Sequence, residues 1–221
     1  QQLSYLHDEL IINYINFLSK YLYPLNNPTE AEKISVLATG GYGRGLLAPQ
    51  SDIDLLFLLP YKKTAWAEAA IENTLYFLWD LGLKVGQATR SISESLLLAE
   101  KDQTITTSML DARHLWGNEE LSKSFKKSYR EKLETMSSAD FIQAKLDERE
   151  ERQHKAGQSR YLVEPNIKNG KGVLRDLETL SCMTNFCYKC SRHDINLSFL
   201  GSIKLGLTTS TGITLRSDVE T

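Results

Sequence analysis

The stretch that decides the fold reads Thr39-Gly-Gly-Tyr-Gly-Arg-Gly45, followed five residues later by Ser51-Asp-Ile-Asp-Leu-Leu-Phe-Leu-Leu59. Upstream, Ile34–Ala38 reads as a short strand running into the glycines. Downstream, Ile53–Leu59 is almost wholly apolar beyond its aspartate, as a buried central strand would be, and Pro60 closes it. Gly40 and Gly41 at a strand end can bring backbone N–H groups close to phosphate oxygens with no Cβ in the way. The segment is not a Walker A loop, because no Gly-Lys-[Ser/Thr] follows. Nor is it the dinucleotide G-x-G-x-x-G pattern, since the order is G-G-Y-G-R-G and an Asp-x-Asp follows too soon.

Asp52 and Asp54 stand two apart on the predicted strand, so their side chains share one face. Two carboxylates brought together in an apolar strand repel each other unless a cation intervenes. Such oxygen ligands suit Mg²⁺ shared with substrate phosphates; with two ions, one can activate an attacking hydroxyl while both brace the transferring phosphorus. The plain alternative makes both aspartates turn residues after Pro49. The five apolar residues that follow Asp54 favour placing it within the strand. Ser51 is expected to order the turn by capping a backbone N–H.

Working outward, Leu3, Leu6, Leu10, Tyr14, Phe17 and Leu18 recur at helical spacing and predict a helix over 3–22, ending near Pro24. A helix is expected over 64–81 with Gly82 behind it, then a strand over 83–90 and a helix over 93–101. Residues 106–115 read as a fourth strand closed by Gly117. Helices over 119–134 and 138–156 follow, the second highly charged and read as a solvated face. RYLVEPNIK (160–168) interrupts as a strand or extended loop, and 174–188 returns to helix. The class is α+β: a helical segment 1–33, a core 34–118 built on a small mixed sheet, a helical companion region 119–197, and a tail 198–221 rich in Ser, Thr and Gly.

The 221 residues suffice for one large domain or two small ones. A net charge of -2 from 26 basic and 28 acidic side chains gives no global pull toward nucleic acid or anionic lipid. With no aromatic and basic array tracking a strand, no nucleic acid is expected as partner. No apolar run reaches the ~20 residues of a bilayer span, so no membrane association is expected. The start, QQLSYLHDEL, lacks a secretory signal pattern, and the absence of an initial Met points to a piece of a longer protein. Cys182, Cys187 and Cys190 are an odd set that fits a reduced compartment, and a cytoplasmic location is expected. The C-x-x-C of Cys187 and Cys190 near His193 raises zinc, but the neighbours offer no clean second ligand pair.

Several motifs in the same order resemble the nucleotidyltransferase domain of the bacterial PII-protein uridylyltransferases, bifunctional uridylyl-removing enzymes of the polymerase-beta-like superfamily. They are GGYGRG at 40–45, SDIDLLFL at 51–58, WDLGLKVGQATRS at 79–91, TSMLDARHLWG at 107–117 and EPNIKNGKGVLRDLETL at 164–180. The resemblance implies a Mg²⁺-dependent two-metal transferase that moves UMP from UTP to a tyrosine of the PII signalling protein. Full-length members also carry an HD hydrolase and ACT domains. By resemblance, Gly40 and Gly41 would hold the triphosphate and Asp52 and Asp54 the metal.

A third carboxylate is expected on a neighbouring strand. Asp111, in the strand-like MLDARHL, is the first choice as metal ligand and base, or as half of an Asp111–Arg113 pair; Glu164, held extended by Pro165, is the reserve. Arg44 would meet triphosphate oxygens or brace its own loop. Lys168, Lys171 and Arg175 would close over the nucleotide or bind the protein substrate. The scattered His7-Asp8 and His193-Asp194 make no HD metal array, so no uridylyl-removing activity is expected. An adenylyltransferase, another acceptor, or a non-catalytic nucleotide-sensing module are the competing readings.

Overall fold

A computed structural model describes residues 2–25, 27–45, 47, 51–155 and 174–190. The chain divides into two compact units, residues 1–132 and 133–221, and each is described separately. In the first unit α1 (Gln2–Phe17) continues into one turn of π-helix (Leu18–Leu22), and a single 3-10 turn (Glu30–Glu32) precedes the sheet. Then come β1 (Ser35–Ala38), α2 (Gly40–Gly43), β2 (Ile53–Leu59), α3 (Ala65–Asp80), β3 (Val85–Ser91), α4 (Ile92–Lys101), α5 (Gln103–Leu110), β4 (Arg113–Gly117) and α6 (Glu119–Glu134).

The four strands lie in the order β3-β2-β1-β4. β1 is antiparallel to both its neighbours, with Ala38 opposite Leu55 and Arg113, whereas β2 and β3 run parallel with Asp54 opposite Gly86. A parallel pair needs a crossover, and α3 supplies it. Thr64 caps α3 by accepting from the Ala67 N–H, and Gly82 takes the left-handed conformation (φ 74°) just past its end.

Alternation along the strands separates core from site. Val36, Ala38, Ile53, Leu55 and Phe57 cluster with Ile11 and Ile15 of α1 and with Ile71, Leu75 and Leu78 of α3. Tyr14 and Phe77 stack at 3.8 Å between ring centroids and join the two helices. Asp54, Leu56 and Leu58 point to the opposite face. Along β2 every residue is buried except Asp54, which is half-buried.

The expected strand over 106–115 is instead the helix α5 followed by β4, which begins only at Arg113. The β-branched run Thr104-Ile-Thr-Thr107 suggests a strand. Three side chains decide against it: Asp102 accepts from the Thr104 N–H at 2.7 Å, Thr106 donates to the Ala99 carbonyl, and Thr107 donates to the Gln103 carbonyl at 2.7 Å. With the hydroxyls bonded back onto preceding carbonyls, threonine is accommodated in a helical turn.

In the second unit α7 (Ser138–Lys155) and α8 (Leu174–Cys190) pair. Phe141 and Phe186, both fully buried, stack at 3.8 Å, and Ile142, Met183 and Cys187 form a neighbouring cluster. Arg149 reaches both oxygens of the buried Asp176, through Nε at 3.1 Å and Nη2 at 3.3 Å. Removing one ring of a buried stack leaves a cavity, so Phe186→Ala should cost about 3–5 kcal/mol. Amide exchange in urea should show α7 and α8 opening at lower denaturant in the variant. RYLVEPNIK and the tail from residue 198 lie outside the described residues.

Candidate active site

The glycines form a four-residue helix, α2, rather than an open turn. Thr39 precedes it in extended conformation, and its N–H donates to the Asp54 carbonyl at 3.0 Å, tying the entry of α2 to β2. Gly40 then adopts φ 55°, a conformation that L side chains resist.

Asp54 is held between two glycines. A Cβ on Gly40 would lie 2.9 Å from Asp54 Oδ2, and one on Gly86 would lie 2.5 Å from Oδ1. The carboxylate therefore occupies space that exists only because residues 40 and 86 lack side chains. Burial, and secondarily the negative charge of Asp52, push the Asp54 carboxyl above the usual carboxylate range. Asp52 itself is exposed and lies one residue ahead of β2, after the partly exposed Ser51. The charge repulsion expected of this pair is thus a feature of the folded chain.

Asp111 is the C-cap of α5, not a strand residue. Its carbonyl packs against Gly43, leaving no room for a Cβ there, and its Oδ2 accepts from Arg44 Nη1 at 3.2 Å. The Arg44 guanidinium also sits over Gly41, with Nη2 3.7 Å from where a Cβ would stand. Two candidates, Arg44 and Asp111, therefore pair with each other at the end of α2. Arg113, the partner offered for Asp111 in the alternative reading, turns to Asp8. The strands that flank β2, β1 and β3, carry no carboxylate. Among the described residues no three His, Cys, Asp or Glu side chains converge to hold a metal. Arg175 lies on α8 in the second unit, 3.9 Å from Glu178. Glu164, Lys168 and Lys171 lie outside the described residues.

Sequence reasoning missed two features. Gly86 falls inside the quoted 79–91 stretch but was given no role there; only its register with Asp54 reveals its place. The other is Asp8 of α1, which accepts from Tyr42 Oη at 2.6 Å and from Arg113 Nη1 and Nη2 at 2.8 and 3.0 Å.

Residues 26–108 match the family model described as a nucleotidyltransferase domain, and residues 140–211 match that of GlnD PII-uridylyltransferase. A bifunctional uridylyltransferase/uridylyl-removing enzyme of Rhodopseudomonas palustris is 50% identical over 189 residues, covering 86% of this chain and 20% of that protein. One of Nitrobacter winogradskyi is 50% identical over 187 residues, covering 85% of this chain and 20% of that protein. The chain thus spans about a fifth of the length of these relatives. A solved structure described as a toxin-antitoxin with AMP-PNP covers 66% of this chain at 18% identity with a TM-score of 0.31, too slight a likeness to inform the site.

The mixed sheet flanked by helices, followed along the chain by a helical region, is a polymerase-beta-like nucleotidyltransferase fold. Within that class, the chain matches the N-terminal nucleotidyltransferase domain of the PII-uridylyltransferases. No helix among the described residues is long and apolar enough to cross a membrane.

Proposed function

We propose that this chain carries the uridylyl-transferring centre of a PII-modifying enzyme, and that it works in the cytoplasm. A tyrosine hydroxyl of the PII protein attacks the α-phosphorus of UTP; the tyrosyl O–P bond forms, the bond to the β-phosphate bridging oxygen breaks, and pyrophosphate departs. The observation that carries the reading is the Asp54 carboxylate seated against Gly40, with burial, and secondarily the charge of Asp52, raising its proton affinity.

This pair fits Mg²⁺, which takes one or two carboxylates and completes its shell with phosphate and water. Bound there, one or two such ions would offset the charge that develops on the phosphoryl oxygens. Gly40 and Gly41 let the triphosphate approach the backbone closely, and Ser51 orders the approach to Asp52. Arg44 stands over Gly41 and would move from Asp111 to the phosphates as nucleotide arrives, which frees Asp111 to accept the tyrosine proton. Lys168 and Arg175 are assigned to nucleotide or acceptor binding on the resemblance of their motif.

The test is transfer of labelled UMP and AMP from their triphosphates to purified PII protein with Mg²⁺. UMP transfer is the expected result. AMP transfer alone would identify an adenylyltransferase, and retained UTP binding with no transfer would identify a nucleotide-sensing module.

A further inference from the structure

We infer that Asp8, on the N-terminal helix, is a positioning residue for the glycine segment, acting through Arg113 and Tyr42; this rests on the proposed nucleotide site. Three of the four residues of α2 are glycines, so Tyr42 is the one side chain by which its surroundings can grip it. Tyr42 is fully buried, and its hydroxyl donates to Asp8 Oδ1 at 2.6 Å. The same carboxylate receives both terminal nitrogens of Arg113. Aligned in this way, Arg113 donates through Nε to the Gly43 carbonyl at 3.3 Å and through Nη2 to the Tyr42 carbonyl at 3.5 Å.

One carboxylate therefore fixes the side chain of α2 directly and its last two carbonyls through a forked cation. Glycine gains most from such external bracing, because its backbone loses the most freedom on ordering. The braced helix is the one whose first residue, Gly40, abuts the Asp54 carboxylate. Helix α1 does not depend on Asp8 for its own place, because Ile11 and Ile15 are buried in the core cluster. Loss of the carboxylate should therefore loosen α2 more than it unseats α1.

The test compares wild type, Asp8→Asn and Tyr42→Phe by thermal melting and by equilibrium binding of UTP with Mg²⁺. Asp8→Asn keeps an acceptor for Tyr42 but turns amide hydrogens toward Arg113. It should melt near wild type while binding UTP roughly tenfold more weakly, the scale of one charge-assisted hydrogen bond. In transfer assays the KM for UTP should rise more than kcat falls. Tyr42→Phe should shift affinity in the same direction by a comparable, roughly tenfold factor, since it loses a hydrogen bond to the same carboxylate. Unchanged UTP affinity in folded Asp8→Asn overturns the inference. Should that variant not fold, unchanged affinity in Tyr42→Phe overturns it instead. Wild type that binds no UTP overturns the nucleotide site itself, and the inference with it.

Discussion

Asp54→Asn should abolish transfer, by about 10³-fold or more in kcat/KM, while leaving the protein folded and more stable without divalent ions. The loss follows from removing the better-buried of the two carboxylates proposed to hold Mg²⁺; three decades correspond to about 4 kcal/mol of lost transition-state stabilisation. The gain follows from the sign of the proton linkage. Burial and the charge of Asp52 raise the folded-state pKa of Asp54. A group with a raised folded pKa contributes stability that is fully present below its unfolded pKa and is lost as pH rises through the folded value. At neutral pH the metal-free wild type has lost that contribution, and the neutral amide does not incur the same penalty. Melting without divalent ions should place Asp54→Asn about 2–4 °C above wild type at neutral pH, with the gap closing in acid. Mg²⁺ with UTP should raise the melting temperature of wild type alone. A variant that melts lower than wild type without metal at neutral pH would contradict the reading of Asp54 as a carboxylate held under strain.

Gly86→Ala should be nearly as damaging, although residue 86 bears no functional group. Its Cβ would stand 2.5 Å from Asp54 Oδ1, closer than a methyl group and an oxygen can pack, so one of them must give way. The carboxylate must swing off its present line, and a displacement of ~1 Å at a reacting centre costs on the order of 10²-fold in rate. β3 is an edge strand and Gly86 is exposed, so the fold should tolerate the methyl group. The expected signature is a near-normal melting curve, a weakened Mg²⁺ dependence and about 10²-fold lower kcat. Full activity in this variant would show that the carboxylate has room the structure does not reveal.

These predictions differ in how far the chain alone foretold them. β2 was legible because an unbroken apolar run after two aspartates has few other homes, and its limits, Ile53 and Leu59, were as expected. The place of Asp54 within that strand was legible for the same reason. The threonine-rich segment before Asp111 misled, since β-branched residues favour strands until their hydroxyls find carbonyls one turn back. With that strand gone, Asp111 moved to a helix end and into the reach of Arg44. The role of Gly86 was invisible because it arises from parallel register, which depends on how α3 returns the chain. Asp8 was invisible for a related reason: its bond to Arg113 joins residues 105 positions apart. Local patterns report elements; long-range pairings report sites.

Tyr42 has a further meaning for a catalyst proposed to modify tyrosines. It places a phenol of its own within the glycine segment. That phenol is sealed from solvent, its proton is committed to Asp8, and burial with the neighbouring negative charge drives its ionisation far above the ordinary phenol range. It cannot present a nucleophilic oxygen without breaking the brace that forms the site. In the proposed reaction Tyr42 would therefore be a poor acceptor, withheld by the same contacts that brace the glycine segment.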